Sequence, residues 1–386
     1  MLTFSVYNST IEQDLIETHS VETLTSSQPV PTWWISQATQ ISVFLNQRVN
    51  PRCLHTLAVS PGNRAVKYAA YGTAEPHLRG PANFNSAVGA GDSEAYFRRQ
   101  SRRSPCLLIL AGVHGAEVEG MIGALSILSI IETGKDLRGR AHPTFAKKLR
   151  QLRLLVIPLA NPDGRARLPH AGWVGLPTAE MHRVNQGTRQ DGTFYNWPDC
   201  KKIHPMRGDV GFLGGYFDDH GVNMMHDEWS APMSATTQNL LKLVHDEAPD
   251  VVLNCHSYEG VPVILPLTYA PRAVEKKIQA FTASYYQRLD RAGVSHKSAL
   301  PQPLSREPVS APPQSLNLTS MLYHVGAALP MTFESPHGLI DQPGRFSYRQ
   351  ILDLHHLLVE AAANWLLPAA VPRTPRGNRK HSIRRQ

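Results

Sequence analysis

Short, uninterrupted apolar runs punctuate the chain. They are Cys106–Val113 (CLLILAGV), Leu152–Leu159 (LRLLVIPL), Val251–Asn254 (VVLN) followed by Val261–Leu265, and Leu329–Phe333 (LPMTF). Apolar runs of this length without alternation suit strands buried on both faces. Longer segments between them carry helical spacing, at about Ala116–Glu132, Thr236–Asp246, Ala273–Ala292 and Tyr348–Leu367. Upstream, His55–Ser60 and Ala65–Tyr71 read as two strands joined by a Pro-Gly-Asn turn. Strands alternating with helices predict an α/β fold whose sheet is covered on both faces. Residues 161–230 break this rhythm. They are rich in Gly, Pro, Asn, His and Trp, and a long aperiodic stretch inside a compact domain is usually functional.

No linker divides the pattern, so one domain is expected over residues 31–367. A polar arm (1–30) precedes it and a basic tail (368–386) follows it, while residues 76–105 read as an exposed insertion. The chain has 386 residues, of which 42% are hydrophobic and 18% charged, as in globular proteins. No apolar run is long enough to span a bilayer, and the first residues lack a basic segment followed by an apolar core. No membrane association and a cytoplasmic location are therefore expected. The net charge of +8 collects partly in Arg98–Arg103 and in the tail from Arg373. No basic stripe interleaved with aromatics accompanies it, so nucleic acid is not an expected partner. The four cysteines form no CxxC pair and do not suggest a disulfide scaffold; Cys106 and Cys255, in apolar strand-like runs, read as buried free thiols.

Candidate chemistry gathers where the apolar runs end. The first passes into His114-Gly-Ala-Glu117 and the second into Asn161-Pro-Asp-Gly164. The third leads into Asn254-Cys-His256-Ser257 and the last into Glu334-Ser-Pro-His337. In open α/β sheets, the carboxyl ends of strands line the ligand crevice. A His-x-x-Glu step lets an imidazole and a carboxylate reach one ion. With His256 as third ligand this makes a two-His, one-Glu set that leaves a position open for water. Glu334 is then the candidate base for that water.

Five segments together resemble the M14 zinc carboxypeptidase family: AGVHGAEVEG (111–120), IPLANPDGRAR (157–167), GVNMMHDEW (221–229), LNCHSYEG (253–260) and MTFESPHG (331–338). The resemblance runs from about Pro31 to Leu367. It implies one α/β domain with a mixed, mainly parallel sheet of about eight strands. It also implies a single Zn²⁺ held by His114, Glu117 and His256, with Glu334 as general base and acid in amide or peptide hydrolysis.

The segment that carries the family's Asn-Arg carboxylate anchor departs from the pattern. Met225 and His226 stand where that pair is expected. Asn223, His226 and Asp227 are retained as candidate substrate contacts, Asp227 toward an amine or hydroxyl. Arg183, Arg189 and Arg207 are candidates for polarising the scissile carbonyl, Tyr323 for an aromatic lid, and His337 for lining the pocket. The expected substrate is a peptide, or alternatively an N-acyl amino acid of the kind handled by the succinylglutamate desuccinylase and aspartoacylase branch. A non-catalytic ligand-binding relative is the third alternative.

Overall fold

The computed structural model describes residues 28–75, 84–92, 95, 104–228, 230–267, 269–297, 316–343 and 345–367. Nearly all of the 1–30 arm, the Arg98–Arg103 run, most of the 76–105 insertion and the basic tail lie outside these residues. The first strands are β1 (Leu54–Val59), β2 (Ala65–Tyr71), β3 (Cys106–Ala111) and β4 (Arg153–Ile157). They are followed by a short pair, β5 (Gly187–Thr188) and β6 (Phe212–Leu213), and then by β7 (Val251–Tyr258), β8 (Val263–Leu265) and β9 (Leu329–Pro336). The main sheet runs β1-β2-β4-β3-β7-β9-β8. Strands β4, β3, β7 and β9 are mutually parallel, while β2 and β8 flank them antiparallel. The mixed, mainly parallel α/β architecture is as expected, but the main sheet has seven strands rather than eight; the 161–230 segment folds instead into short helices and the separate β5-β6 ribbon.

Side chains of the central strands alternate between two cores, as the period of two demands. Leu107, Ile109, Leu253 and Phe333 enter the larger core, beneath the helices Val118–Thr133 and Tyr348–Leu366. Leu108, Leu110, Leu155 and Val252 enter the opposite one, with Leu240 and Val244 of the helix Ala235–Glu247. Because both faces are covered, the central strands read as continuous apolar runs. The helix Val118–Thr133 is apolar nearly all round and almost wholly buried. It ends on Gly134, whose φ of 76° gives the left-handed cap that L side chains resist. The helix Tyr348–Leu366 begins with a capping box between Ser347 and Gln350.

Two strands run further than their apolar composition shows. β7 continues through His256 to Tyr258 and β9 through Glu334 to Pro336, so both chemical residues lie within the ladder. Cys106, Cys200 and Cys255 are buried free thiols and Cys53 is partly exposed. No helix among the described residues is long and apolar enough to cross a membrane.

Candidate metal centre and active site

The turn from β3 into the helix Val118–Thr133 delivers His114 and Glu117, and its path is set by a close backbone approach. The Gly115 amide donates to Gly215 O at 2.7 Å, and the Arg165 guanidinium donates to Gly115 O at 3.1 Å. The Asn161-Pro-Asp-Gly164 motif is the platform beneath. Asn161 Oδ1 accepts from the Gly164 amide at 2.9 Å, and the Asp163 carboxylate gathers Ser60, Gly62 and Arg64. Nothing in this motif reaches the His-Glu cluster as a donor; it holds the backbone that does.

His114, Glu117 and His256 are all buried, and one ligand atom from each lies within 4.8 Å of the others. His114 Nδ1 is 2.7 Å from Glu117 Oε1, and His256 Nδ1 is 2.8 Å from Glu117 Oε2. Burial opposes charge on every member. The two imidazoles nevertheless hold the Glu117 carboxyl well below its ordinary range, and Glu117 raises His256. Burial lowers His114. Two imidazole nitrogens aimed at one buried carboxylate form the donor set of a divalent-metal site. His256 Nε2 is buried without a hydrogen-bond partner, so that ring is held by its Nδ1 face alone.

Asn223 behaves differently from its expected role as a substrate contact. Its Oδ1 lies 3.3 Å from His114 Nε2 and also caps the Met224–His226 turn by accepting from Met225 N at 2.9 Å. A proton on Nε2 directed at that oxygen leaves the Nδ1 lone pair facing Glu117, the orienting role a metal-ligating histidine needs. Tyr216, missed by the sequence reading, lays its ring 4.1 Å from that of His114. Its signal was weak, a Tyr in a Gly-Gly-Tyr-Phe turn.

Glu334 sits directly beside His256 as its register partner across β7 and β9. Burial pushes its carboxyl up to about 7; Glu117 and Glu259 add to this, against the pull of His256 and His337. Glu259, at the end of β7, pairs with His182. Neither was expected at the site.

The decisive comparison is with the family itself. The sequence model of the zinc carboxypeptidase family, Peptidase_M14, matches residues 49–326. The chain belongs to this zinc carboxypeptidase family. As a zinc carboxypeptidase-like hydrolase it also shares its fold with solved relatives. A metallo-carboxypeptidase from Burkholderia cenocepacia superposes with a TM-score of 0.50 at 14% identity, over 84% of this chain and 68% of that one. A Burkholderia mallei protein described as a carboxypeptidase gives 0.52 at 14%, over 85% and 67%. No curated protein matches.

Within this zinc carboxypeptidase framework, several expected substrate contacts are used elsewhere. Arg183 makes a two-pronged ion pair with Glu180, at 2.8 and 2.7 Å. Arg189 donates to Phe194 O at 2.9 Å and covers the Tyr195 ring. Arg207 is exposed. Asp227 is buried and its oxygens accept from the Glu228, Met233 and Ser234 amides, so it organises the start of the helix Ala235–Glu247 rather than offering a carboxylate to substrate. His337 is fully buried, with Nδ1 3.1 Å from Glu119, and its charge acts on Glu334. Tyr323 is buried in the larger core. His226 lies at the expected place, but burial pushes it down to about 3, which leaves it neutral.

A second group, Asp136, His142 and His356, also converges within 4.8 Å. There Arg138 forks onto Asp136 at 3.0 and 2.8 Å and neutralises it, so this cluster reads as an ion-pair network.

Proposed function

We propose that the chain hydrolyses a peptide or related amide bond using a zinc ion held by His114, Glu117 and His256, with Glu334 as general base and acid. The observation that carries this is the placement of Glu334 directly opposite His256 in the β7–β9 ladder, beside the three converging buried donors. Bound there, zinc would supply a Lewis acid that polarises a carbonyl and makes water more acidic. The protein does the rest. Asn223 orients His114, Glu117 bridges both imidazoles, and the buried surroundings exclude competing water. Glu334, with its carboxyl poised near neutrality, takes a proton from water and returns it to the leaving nitrogen. The single domain over residues 31–367 and the cytoplasmic setting remain part of this reading, supported by the continuous strand-helix pattern and by cysteines that are few and form no CxxC pair.

The test is metal content and turnover in parallel. Zinc should bind one-to-one and be lost on His256→Ala. Glu334→Gln should retain the metal while hydrolysis of a peptide mixture, read by mass spectrometry, falls about 10²- to 10⁴-fold. An E334Q protein as active as the parent would overturn the assignment. Release of acyl groups from N-acyl amino acids, with peptides untouched, would favour the deacylase alternative.

A further inference from the structure

The anchor segment lacks its arginine, yet a cation stands next to it. Lys201, in the short turn Asp199–Lys201, places Nζ 3.4 Å from the centroid of the Trp197 ring. Trp197 is half exposed, and its ring lies 6.1 Å from that of His226. His226 closes the turn capped by Asn223, which touches His114. Neighbouring side chains thus link Lys201, through Trp197 and His226, to the turn whose Asn223 touches His114.

We propose that Lys201, seated on Trp197, receives the negatively charged end of the substrate in place of the missing arginine. This rests on the hydrolase reading above.

Three observations favour it. The acid beside Lys201 in sequence, Asp199, is taken by Lys202 at 2.7 Å, and no described carboxylate pairs with Lys201 itself. Arg183 and Arg189 are committed to Glu180 and to the Arg189–Tyr195 loop. The ammonium is also partly desolvated, which strengthens its pull on an anion and lowers its own pKa to about 8. An ammonium on a flexible stem gives a point-charge contact rather than a guanidinium fork, so the end group is gripped with less directional constraint.

The experiment compares matched peptides ending in a free carboxylate or an amide, with Lys201→Met, which keeps an apolar stem on Trp197, and Lys201→Arg. The parent should favour the free acid. K201M should lose about 10- to 100-fold in kcat/KM for the acid, mainly through KM, with the amide little changed. K201R should retain most of the preference. Binding of N-acetylphenylalanine and of its amide to the E334Q protein provides an arm independent of turnover. Its preference for the acid should vanish when K201M is added. Equal binding of acid and amide by the parent, or an equal loss of both in K201M, overturns the proposal. A lowered unfolding midpoint with the acid preference intact assigns the Lys201–Trp197 contact to loop structure and overturns it too. Failure of every peptide to be cleaved, with the binding preference present, removes the hydrolase reading and leaves the anchor standing.

Discussion

Gly115→Ala tests whether the backbone approach beneath the His-Glu turn positions the metal ligands. A Cβ at residue 115 would stand 2.2 Å from both Arg165 N and Gly164 C, and 2.8 Å from Gly164 O. Ordinary contact begins near 3.4 Å, so the turn and the Asn161–Ala166 platform must part by roughly 1 Å. Neither side is a flexible side chain. The overpacking costs about 1–3 kcal/mol, and the two hydrogen bonds at Gly115 add about 1 kcal/mol each if they break. A loss of roughly 3–5 kcal/mol is a large share of a typical 5–15 kcal/mol. Because His256 stays on β7 while His114 and Glu117 move, zinc affinity should fall about 10- to 100-fold. Scanning calorimetry of the metal-free protein and a zinc competition titration read the two effects. Gly89→Ala, where an added Cβ meets nothing within 4 Å, is the control. A G115A protein that binds zinc within threefold of the parent and unfolds at the same temperature would refute the reasoning.

Asn223→Ala should weaken zinc binding about 10-fold or more while leaving the fold intact, measured by chelator competition, because His114 loses the oxygen that fixes its tautomer. Activity should fall on the acid side as Glu334 takes up a proton. Its metal-free carboxyl sits near 7, and a bound cation can only lower it, so the acid limb of kcat/KM should lie at or below about 7 and vanish from the residual activity of E334Q. Glu180 is held at about 2 by Arg183 and His170, despite burial that opposes it. A depressed carboxyl contributes stability that is full above its ordinary 4.5 and is lost as pH falls toward 2. The ceiling is about 3 kcal/mol, and solvent screening of the nearly one-third exposed Arg183 reduces it to roughly 1 kcal/mol. The urea midpoints of parent and Glu180→Gln should therefore differ at pH 7 and converge near pH 2–3.

The parts of this molecule that are governed by burial were legible in its sequence. Leu107–Leu110 and Val251–Leu253 are apolar on both faces because helices cover both faces, and the runs betray it. The His114, Glu117, His256 and Glu334 set was legible because each member follows such a run. Roles decided by partners from distant segments were not. Nothing in GVNMMHDEW shows that Asp227 will be consumed by the amides of Glu228, Met233 and Ser234. Nothing in SPHG shows that His337 meets Glu119 of the helix Val118–Thr133. Arg183 reads equally well as a catalytic cation or as the partner of a glutamate one helical turn away, and only the fold decides. Lys201 escaped notice because its neighbour Trp197 gives it a place near His226 only after the chain folds back.

The ladder between β7 and β9 has a consequence for how such a chain can change over generations. His256 and Glu334 face one another because eight consecutive residues of each strand are paired in parallel. Part of the excursion between the two strands joins that alignment, because β8 pairs with β9 and sets Val263 opposite Glu334; the described helix Arg272–Arg291 takes no part in the ladder, so residues can be gained or lost there without shifting the pair. One residue added between Leu329 and Glu334 would turn the carboxylate to the opposite side of the sheet and dismantle the pair at once. Length is therefore cheap to vary in the excursion outside β8 and forbidden to vary within six residues of β9. Recognition segments can be rewritten by insertion while the reacting groups stay where they are.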